Sequence, residues 1–285
     1  MVFNGILIIL LLAAAGIAIL SWMVREANKH RLDAQTVHLA ELPASFEGTR
    51  VLFLSDVHAR EIPDLLIQHA KEDGPVDLVL IGGDLREHGV PLERSRSNIR
   101  KLLTLAPVYM VYGNHDYDED IRSFDVMLRE EGVRVLINES VILEQQDGAR
   151  VRLAGTDDPR TLREDVAMTL SHPEVEPGIC TIMLAHDPEI IERLSESEER
   201  QINLIMSGHT HGGQIVLPLI GPLVISSNIR KYTYGWFTFD GKKQTTATDV
   251  RRLFVSRGLG TSKFPLRLGA PAEYHIFTLK SGSSR

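Results

Sequence analysis

Apolar residues fall into one long run and a series of short ones. The long run, Ile6 to Val24 (ILIILLLAAAGIAILSWMV), carries no charge. At ~1.5 Å per residue, a helix of roughly 19 residues approaches the ~30 Å hydrocarbon thickness of a bilayer. Gly16 and Ser21 are its only interruptions, and Trp22 suits the interfacial belt. A cleaved signal peptide would open with basic residues and close on a small-x-small site. Met1 to Gly5 holds no Lys or Arg, and no such site follows. Residues 1–24 therefore read as a retained anchor. Arg25, Lys29 and Arg31 come just after it, which by the positive-inside rule places the rest of the chain in the cytoplasm.

Residues 25–47 are polar and mixed and read as a juxtamembrane connector, with a folded domain over 48–285. In that domain Val51 to Ser55, Val76 to Ile81 and Val108 to Tyr112 are short apolar runs typical of buried strands. Helical spacing over Pro63 to Glu72 and Leu92 to Leu105 separates them, giving a β-α-β-α-β order. The second half is richer in strands: Val133 to Ile137, Val141 to Glu144, Val151 to Ala154, Ile179 to Ala185, Ile202 to Met206, Arg252 to Ser256 and Tyr274 to Leu279. Asp147-Gly148 marks a turn, and Pro188 to Ser195 a helix. The expected architecture is α/β, two packed mixed sheets flanked by helices, preceded by one transmembrane helix.

Composition narrows the class. Of 285 residues 43% are apolar and 24% charged, the balance of a folded chain. The net charge of −7 works against DNA or RNA as a partner, because such binding needs a basic surface to displace counterions. A single cysteine, Cys180, rules out an internal disulfide.

Polar clusters recur where the apolar runs stop: Asp56-Val57-His58, Gly83-Asp84, Gly113-Asn114-His115-Asp116, Ala185-His186-Asp187 and Gly208-His209-Thr210-His211. Each alone has a plain explanation as a turn or a hydrogen-bonded loop histidine. Together they gather hard oxygen and imidazole donors at successive strand ends, where open α/β sheets place their sites. A pair of divalent metals favours that mixture.

In this order the blocks D-x-H, G-D, G-N-H-D, H and G-H-x-H resemble the calcineurin-like metallophosphoesterase superfamily, from about Val51 to the C-terminus. The resemblance implies that Asp56, His58 and His211 hold one metal, and that Asn114, His186 and His209 hold a second. It further implies that Asp84 bridges the two, that His115 is the catalytic acid and that Asp116 orients it. Mn, Fe and Zn all accept such a ligand set. The residue types suit the chemistry on their own terms. A carboxylate can hold two cations ~3.5–4 Å apart, and the pair lowers the pKa of a shared water and neutralises phosphate oxygens. The leaving oxygen needs a proton, which His115 can give. Hydrolysis by direct in-line attack of hydroxide, without a covalent intermediate, is the expected mechanism.

Departures from the pattern bear on substrate. Phosphoprotein phosphatases of the superfamily show an arginine before G-N-H, and here Tyr112 precedes Gly113. The chain looks more like the membrane-anchored bacterial phosphodiesterase and pyrophosphatase branches, some of whose members hydrolyse UDP-diacylglucosamine in lipid A synthesis. That implies a single-pass protein of the inner membrane acting on a phosphodiester or pyrophosphate, lipid-linked or soluble. His88 is a candidate substrate contact or an exposed loop residue. Arg257 and Arg267 are candidates to grip a second phosphate, or members of structural ion pairs. Leu217 to Leu223 is apolar for a loop beside a metal site, and reads either as a contact for acyl chains or bilayer or as a strand and turn in the core. A catalytically silent metal-binding scaffold is the alternative from another class. It would be expected to lack a bridging or catalytic position, whereas Asp84, Asn114 and His115 are all present.

Overall fold

The computed structural model describes residues 2–72, 74–173, 175, 176, 178–224, 226–239, 243, 244 and 252–282. Among them two mixed sheets pack face to face. The first runs β1 (Arg31–Leu39), β15 (Glu273–Ser281), β2 (Arg50–Leu54), β3 (Leu78–Ile81), β4 (Val108–Met110) and β5 (Arg134–Val135). The second runs β13 (Lys243–Gln244), β12 (Gly235–Thr238), β14 (Arg252–Val255), β9 (Leu204–Ser207), β8 (Cys180–Leu184), β7 (Arg150–Gly155) and β6 (Glu139–Glu144). A small hairpin, β10 (Val216–Leu217) with β11 (Gly221–Pro222), stands apart from both.

The continuous apolar runs follow from burial on both faces of each sheet. In β2, Val51 and Phe53 point into the inter-sheet core with Leu153, Ile182, Met206 and Phe254 of the second sheet. Leu52 and Leu54 point the other way, against Leu66 of α2 (Asp64–Glu72), Ile99 of α3 (Leu92–Leu103) and Phe124 of α4 (Ile121–Glu130). On the outer face of the second sheet Met183, Ile205 and Leu253 meet Val166 and Leu170 of a short helix and Ile190 and Ile191 of a 3₁₀ turn. The result is the expected sandwich of two sheets between helical layers. The stretch Pro188 to Ser195, expected as a helix, is that 3₁₀ turn over Pro188–Arg193.

Two features of the N-terminal part differ in detail from expectation. The apolar run is the middle of a longer helix, α1 (Val2–Asn28), whose apolar side chains from Ile6 to Trp22 are exposed. The stretch expected as a connector contains β1, parallel to β15 at the edge of the first sheet, with Val37 and Leu39 buried. In RLDAQTVHL the apolar positions shift phase between Ala34 and Val37, so no alternation marks the strand. Arg60 fixes the junction: its guanidinium donates to the carbonyls of Ala27, Asn28 and Lys29 at the end of α1, and to that of Leu259. A cation there satisfies carbonyls that the helix leaves unpaired and suits the negative end of its dipole.

Candidate metal centre

Strands β2, β3 and β4 are parallel, as are β7, β8 and β9, so their C-terminal ends share one rim of the sandwich. Asp56 and His58 follow β2, Asp84 follows β3, Asn114 and His115 follow β4, His186 follows β8, and His209 and His211 follow β9. The donor atoms of Asp56, His58 and His211 lie within 4.8 Å of one another, as do those of Asp84, His186 and His209. Asp84 stands between the groups: its Oδ2 is 3.7 Å from His58 Nε2 and 3.1 Å from His186 Nε2. Across the first group His58 Nε2 faces His211 Nε2 at 3.0 Å, and His211 Nε2 is 3.4 Å from Asp56 Oδ1.

The backbone is bent to achieve this. Asp56, His58 and Asp84 have φ of 52°, His209 of 70° and His211 of 51°. Each chain leaves its strand and turns at once through the left-handed region, which aims the side chain along the rim. Close approach of the loops demands glycine beside them. A Cβ on Gly113 would sit 2.2 Å from Asp84 Oδ1, and one on Gly208 would sit 2.2 Å from Asp56 Oδ2.

Hydrogen bonds hold the donors in place. His186 Nδ1 donates to the Gly82 carbonyl at 2.8 Å, which leaves Nε2 a lone pair for the site. Asp56 accepts from Ser55 Oγ and from the backbone of His209. Burial alone would raise the Asp84 pKa, but the imidazoles of His186, His58 and His115 hold its carboxyl well below the usual range. Burial pushes His209 down to about 3, helped by repulsion from His186. Burial likewise depresses His211, with His58 and Arg267 adding to it. His209 and His211 are thus held as the neutral imidazoles that bind cations, whereas, against burial, Asp84 raises His186 and Glu87 raises His58, and a bound cation would displace their protons. The buried Oδ1 of Asn114 has no hydrogen-bond partner, an unmet acceptor at a position expected to be a ligand. These residues fit a pair of divalent ions.

Other expected residues fall out differently. Asp116 does not orient His115. Its buried carboxylate accepts from the backbone N–H groups of Asp84, Gly113 and Arg86, and so ties the loop after β3 to the loop after β4. The partner of His115 is Asp118, whose Oδ2 lies 2.6 Å from Nδ1. The i, i+3 spacing in a 3₁₀ turn is the signal that finds it, because such positions eclipse. Arg267 packs behind the site, its Nη2 3.3 Å from His211 Nδ1. It is buried and donates to the carbonyls of His211, Arg257, Gly258, Gly260 and Ala270. Arg257 pairs with Glu273 and lies over the Tyr234 ring at 3.6 Å. For Arg257 the structural ion pair is what is observed, whereas Arg267 is held by carbonyls and the His211 ring. His88 is exposed and pairs with Glu119 at 3.1 Å. Sequence reasoning missed Arg160, whose guanidinium is 3.2 Å from His209 Nε2. It reaches the cleft from a 3₁₀ turn after β7 that carries no motif. Glu87, 3.3 Å from His58 Nδ1, was missed as well.

A rim of histidines and carboxylates at the C-terminal ends of two facing parallel ladders defines a metal-dependent hydrolase of phosphoesters. The sequence profile of the calcineurin-like phosphoesterases matches residues 49–213, and the chain belongs to that family. It is 34% identical to the protein YpbG of Bacillus subtilis, over 94% of this chain and 95% of that one. The metallophosphoesterase YkuE of the same organism is 31% identical, over 86% and 84%. The phosphodiesterase YaeI of Escherichia coli is 28% identical, over 81% and 82%.

Proposed function

We propose that the protein is a membrane-anchored enzyme that hydrolyses a phosphodiester or pyrophosphate bond at a dinuclear centre. The observation that carries the reading is the place of Asp84, whose Oδ2 is shared between two donor groups. In this reading Asp56, His58 and His211 hold one cation, Asn114, His186 and His209 hold the other, and Asp84 touches both. Bound there, two divalent cations supply Lewis acidity and a nucleophilic water at neutral pH. Asp116 keeps the Asp84 and Asn114 loops in register. His115, partly exposed at the mouth and held by Asp118, gives a proton to the departing oxygen. Arg160, beside His209, offers a positive charge to a phosphate oxygen.

The anchor in this reading comprises residues 1–24, a single span ending at Arg25, Lys29 and Arg31. Residues 25–47 join it to the catalytic domain of 48–285 and lend that domain its edge strand. The basic flank favours the cytoplasmic face of the membrane. Protease added to intact cells should leave the domain whole, and its digestion would reverse the orientation.

The test of activity uses the full-length protein in detergent with bis-p-nitrophenyl phosphate and p-nitrophenyl phosphate, with Mn²⁺ or with chelator. The expected result is metal-dependent cleavage of the diester, abolished in Asp84→Ala. His115→Ala should lose about 10²–10⁴-fold on a diester with an alkyl leaving group, and less on nitrophenolate, which hardly needs the proton. Preference for the monoester would make the protein a phosphatase. Absence of turnover with every divalent metal, on these esters and on UDP-diacylglucosamine, would favour a metal-binding scaffold.

A further inference from the structure

The loop Leu217 to Leu223 lies outside the core. Leu219, Ile220, Leu223 and Val224 are 108%, 76%, 57% and 71% exposed, and Phe264 is 64% exposed. Soluble proteins scatter such residues singly, and a neighbouring set of them marks an interaction surface. The hairpin and the Phe264 loop are joined. Gln214 donates to the carbonyls of Ser262 and Phe264, and Val216 donates to that of Leu268 at 2.7 Å. The same loop meets α1, where the Arg267 N–H donates to the Met23 carbonyl at 3.2 Å. Met23 is the penultimate residue of the apolar run.

Distance then limits what the patch can touch. Phe264 is three residues from Arg267 and so lies within about 10 Å of the contact with α1 at ~3.3–3.6 Å per residue, while Leu219 is three from Val216, which is tied to α1 through Leu268 and Arg267. The polar layer of a bilayer is of similar depth, roughly 5–8 Å on each side of the hydrocarbon. Phe264 thus lies within reach of the interface that receives the end of α1, and the hairpin joined to its loop continues that surface. It also borders the metal rim. One open cleft of ≈ 250 Å³ is lined by Asn114, His115 and His209 together with Val224 and Lys263.

We propose that the tip of the β10–β11 hairpin and Phe264 enter the same bilayer as α1, so that the cleft opens onto the headgroup layer and takes the phosphodiester or pyrophosphate of a membrane lipid. The acyl chains stay in the bilayer beside Leu219 and Ile220, while the phosphate rises past Lys263 and Arg160 to the rim. This rests on the phosphoesterase reading and on α1 as a span.

Full-length protein in vesicles of phosphatidylcholine and phosphatidylglycerol tests both parts. Cys180 is buried, with its thiol pushed up to about 12, so an environment-sensitive dye goes to an introduced cysteine. Dye on Leu219→Cys should shift to the blue and be quenched by brominated acyl chains. Dye on Asp147→Cys, in the turn before β7 and so at the opposite end of the sheet, should do neither. Dye at position 219 that emits as in water would overturn the membrane contact. For substrate, phosphatidyl-p-nitrophenol in the vesicles is compared with soluble bis-p-nitrophenyl phosphate. The double variant Leu219→Ser, Ile220→Ser should keep its rate on the soluble diester and lose at least tenfold on the lipid. Equal rates of the variant and the parent protein on the lipid would overturn the lipid assignment. Failure of the unaltered protein on both diesters would instead overturn the phosphoesterase reading, with the quenching still reporting the contact.

Discussion

Five of the ten non-glycine residues with positive φ among the described residues are Asp56, His58, Asp84, His209 and His211. Asp and His tolerate the left-handed region better than most side chains, yet each such residue still costs on the order of 1 kcal/mol or more. Strain concentrated on metal-type donors means that the surrounding contacts, not local preference, set their directions. Small intrusions should therefore matter. Gly113→Ala introduces no φ conflict, since Gly113 has φ −102°, but its methyl must displace both the Asp84 carboxylate and the Asp84 backbone nitrogen, 2.6 Å from it. We expect a chain that folds, with diester hydrolysis down by about 10²-fold, as displacements near 1 Å in other sites cost. A rate within twofold of the parent would show that Asp84 need not stay where it is. Arg267→Leu should act on stability instead. It removes a donor from five carbonyls, of which those of His211 and Gly258 keep the N–H groups of Gln214 and Glu273, and the expected loss is about 3–5 kcal/mol, read by thermal or denaturant unfolding. At this scale the sequence named the donor types well, because each metal-type donor sits within four residues of a strand end. It could not tell Asp116 from Asp118 as the partner of His115, since that depends on how the turn after β4 is wound. Nor could it tell a buried arginine that binds carbonyls from one that binds phosphate.

Between elements, the ion pairs joining α3 to α4 give a separate handle. Glu131, just after α4, meets Arg96 at 2.5 Å and Arg100 at 2.8 Å. Hydrogen bonds from Arg100, then Arg96, push its carboxyl down to about 2 from the ordinary 4.5. A folded-state value below the unfolded one stabilises the fold above the unfolded pKa, and that help fades as pH falls through the folded one. Glu131→Gln should thus lower the melting temperature near neutral pH, and the gap to the parent should close as pH drops from about 4.5 toward 2. A gap that stays constant over that window would remove Glu131 as its cause. Elements buried on both faces, β2, β3, β8 and β9, were legible from their unbroken apolar runs. Strand β1 was not: it lies at an edge, only Val37 and Leu39 of its nine residues are buried, and its partner β15 is remote in sequence. The hairpin β10–β11 was visible as an apolar loop, but periodicity alone does not say which side of a surface such a loop is on.

For the molecule as a whole, the rim brings buried carboxylates and imidazoles together, so ions that bind only the folded state should stabilise it by mass action. At a hundredfold excess over the dissociation constant the gain is about 2.7 kcal/mol. A domain of this size moves about 2–4 °C for each kcal/mol, so chelator should lower the melting temperature by roughly 5–10 °C. Mn²⁺ should restore it, and Asp84→Ala should show almost no difference between the two conditions. Identical melting with chelator and with Mn²⁺ in the unaltered protein would argue against a tightly held centre.

The pairing of β1 with β15 has a consequence for how the protein is made. The two strands are joined across almost the whole chain: the Asp33–His275 contact spans 242 positions. Strand β15 also lies between β1 and β2, so the first sheet cannot close until the last strand has left the ribosome. A nascent chain would hold α1 in place while β2, β3 and β4 wait beside an open edge, exposed to chaperones and proteases until synthesis ends. Ribosome-stalled chains ending before Glu273 should accordingly remain protease-sensitive throughout the first sheet, and release of the complete chain should protect both ends of it in a single step.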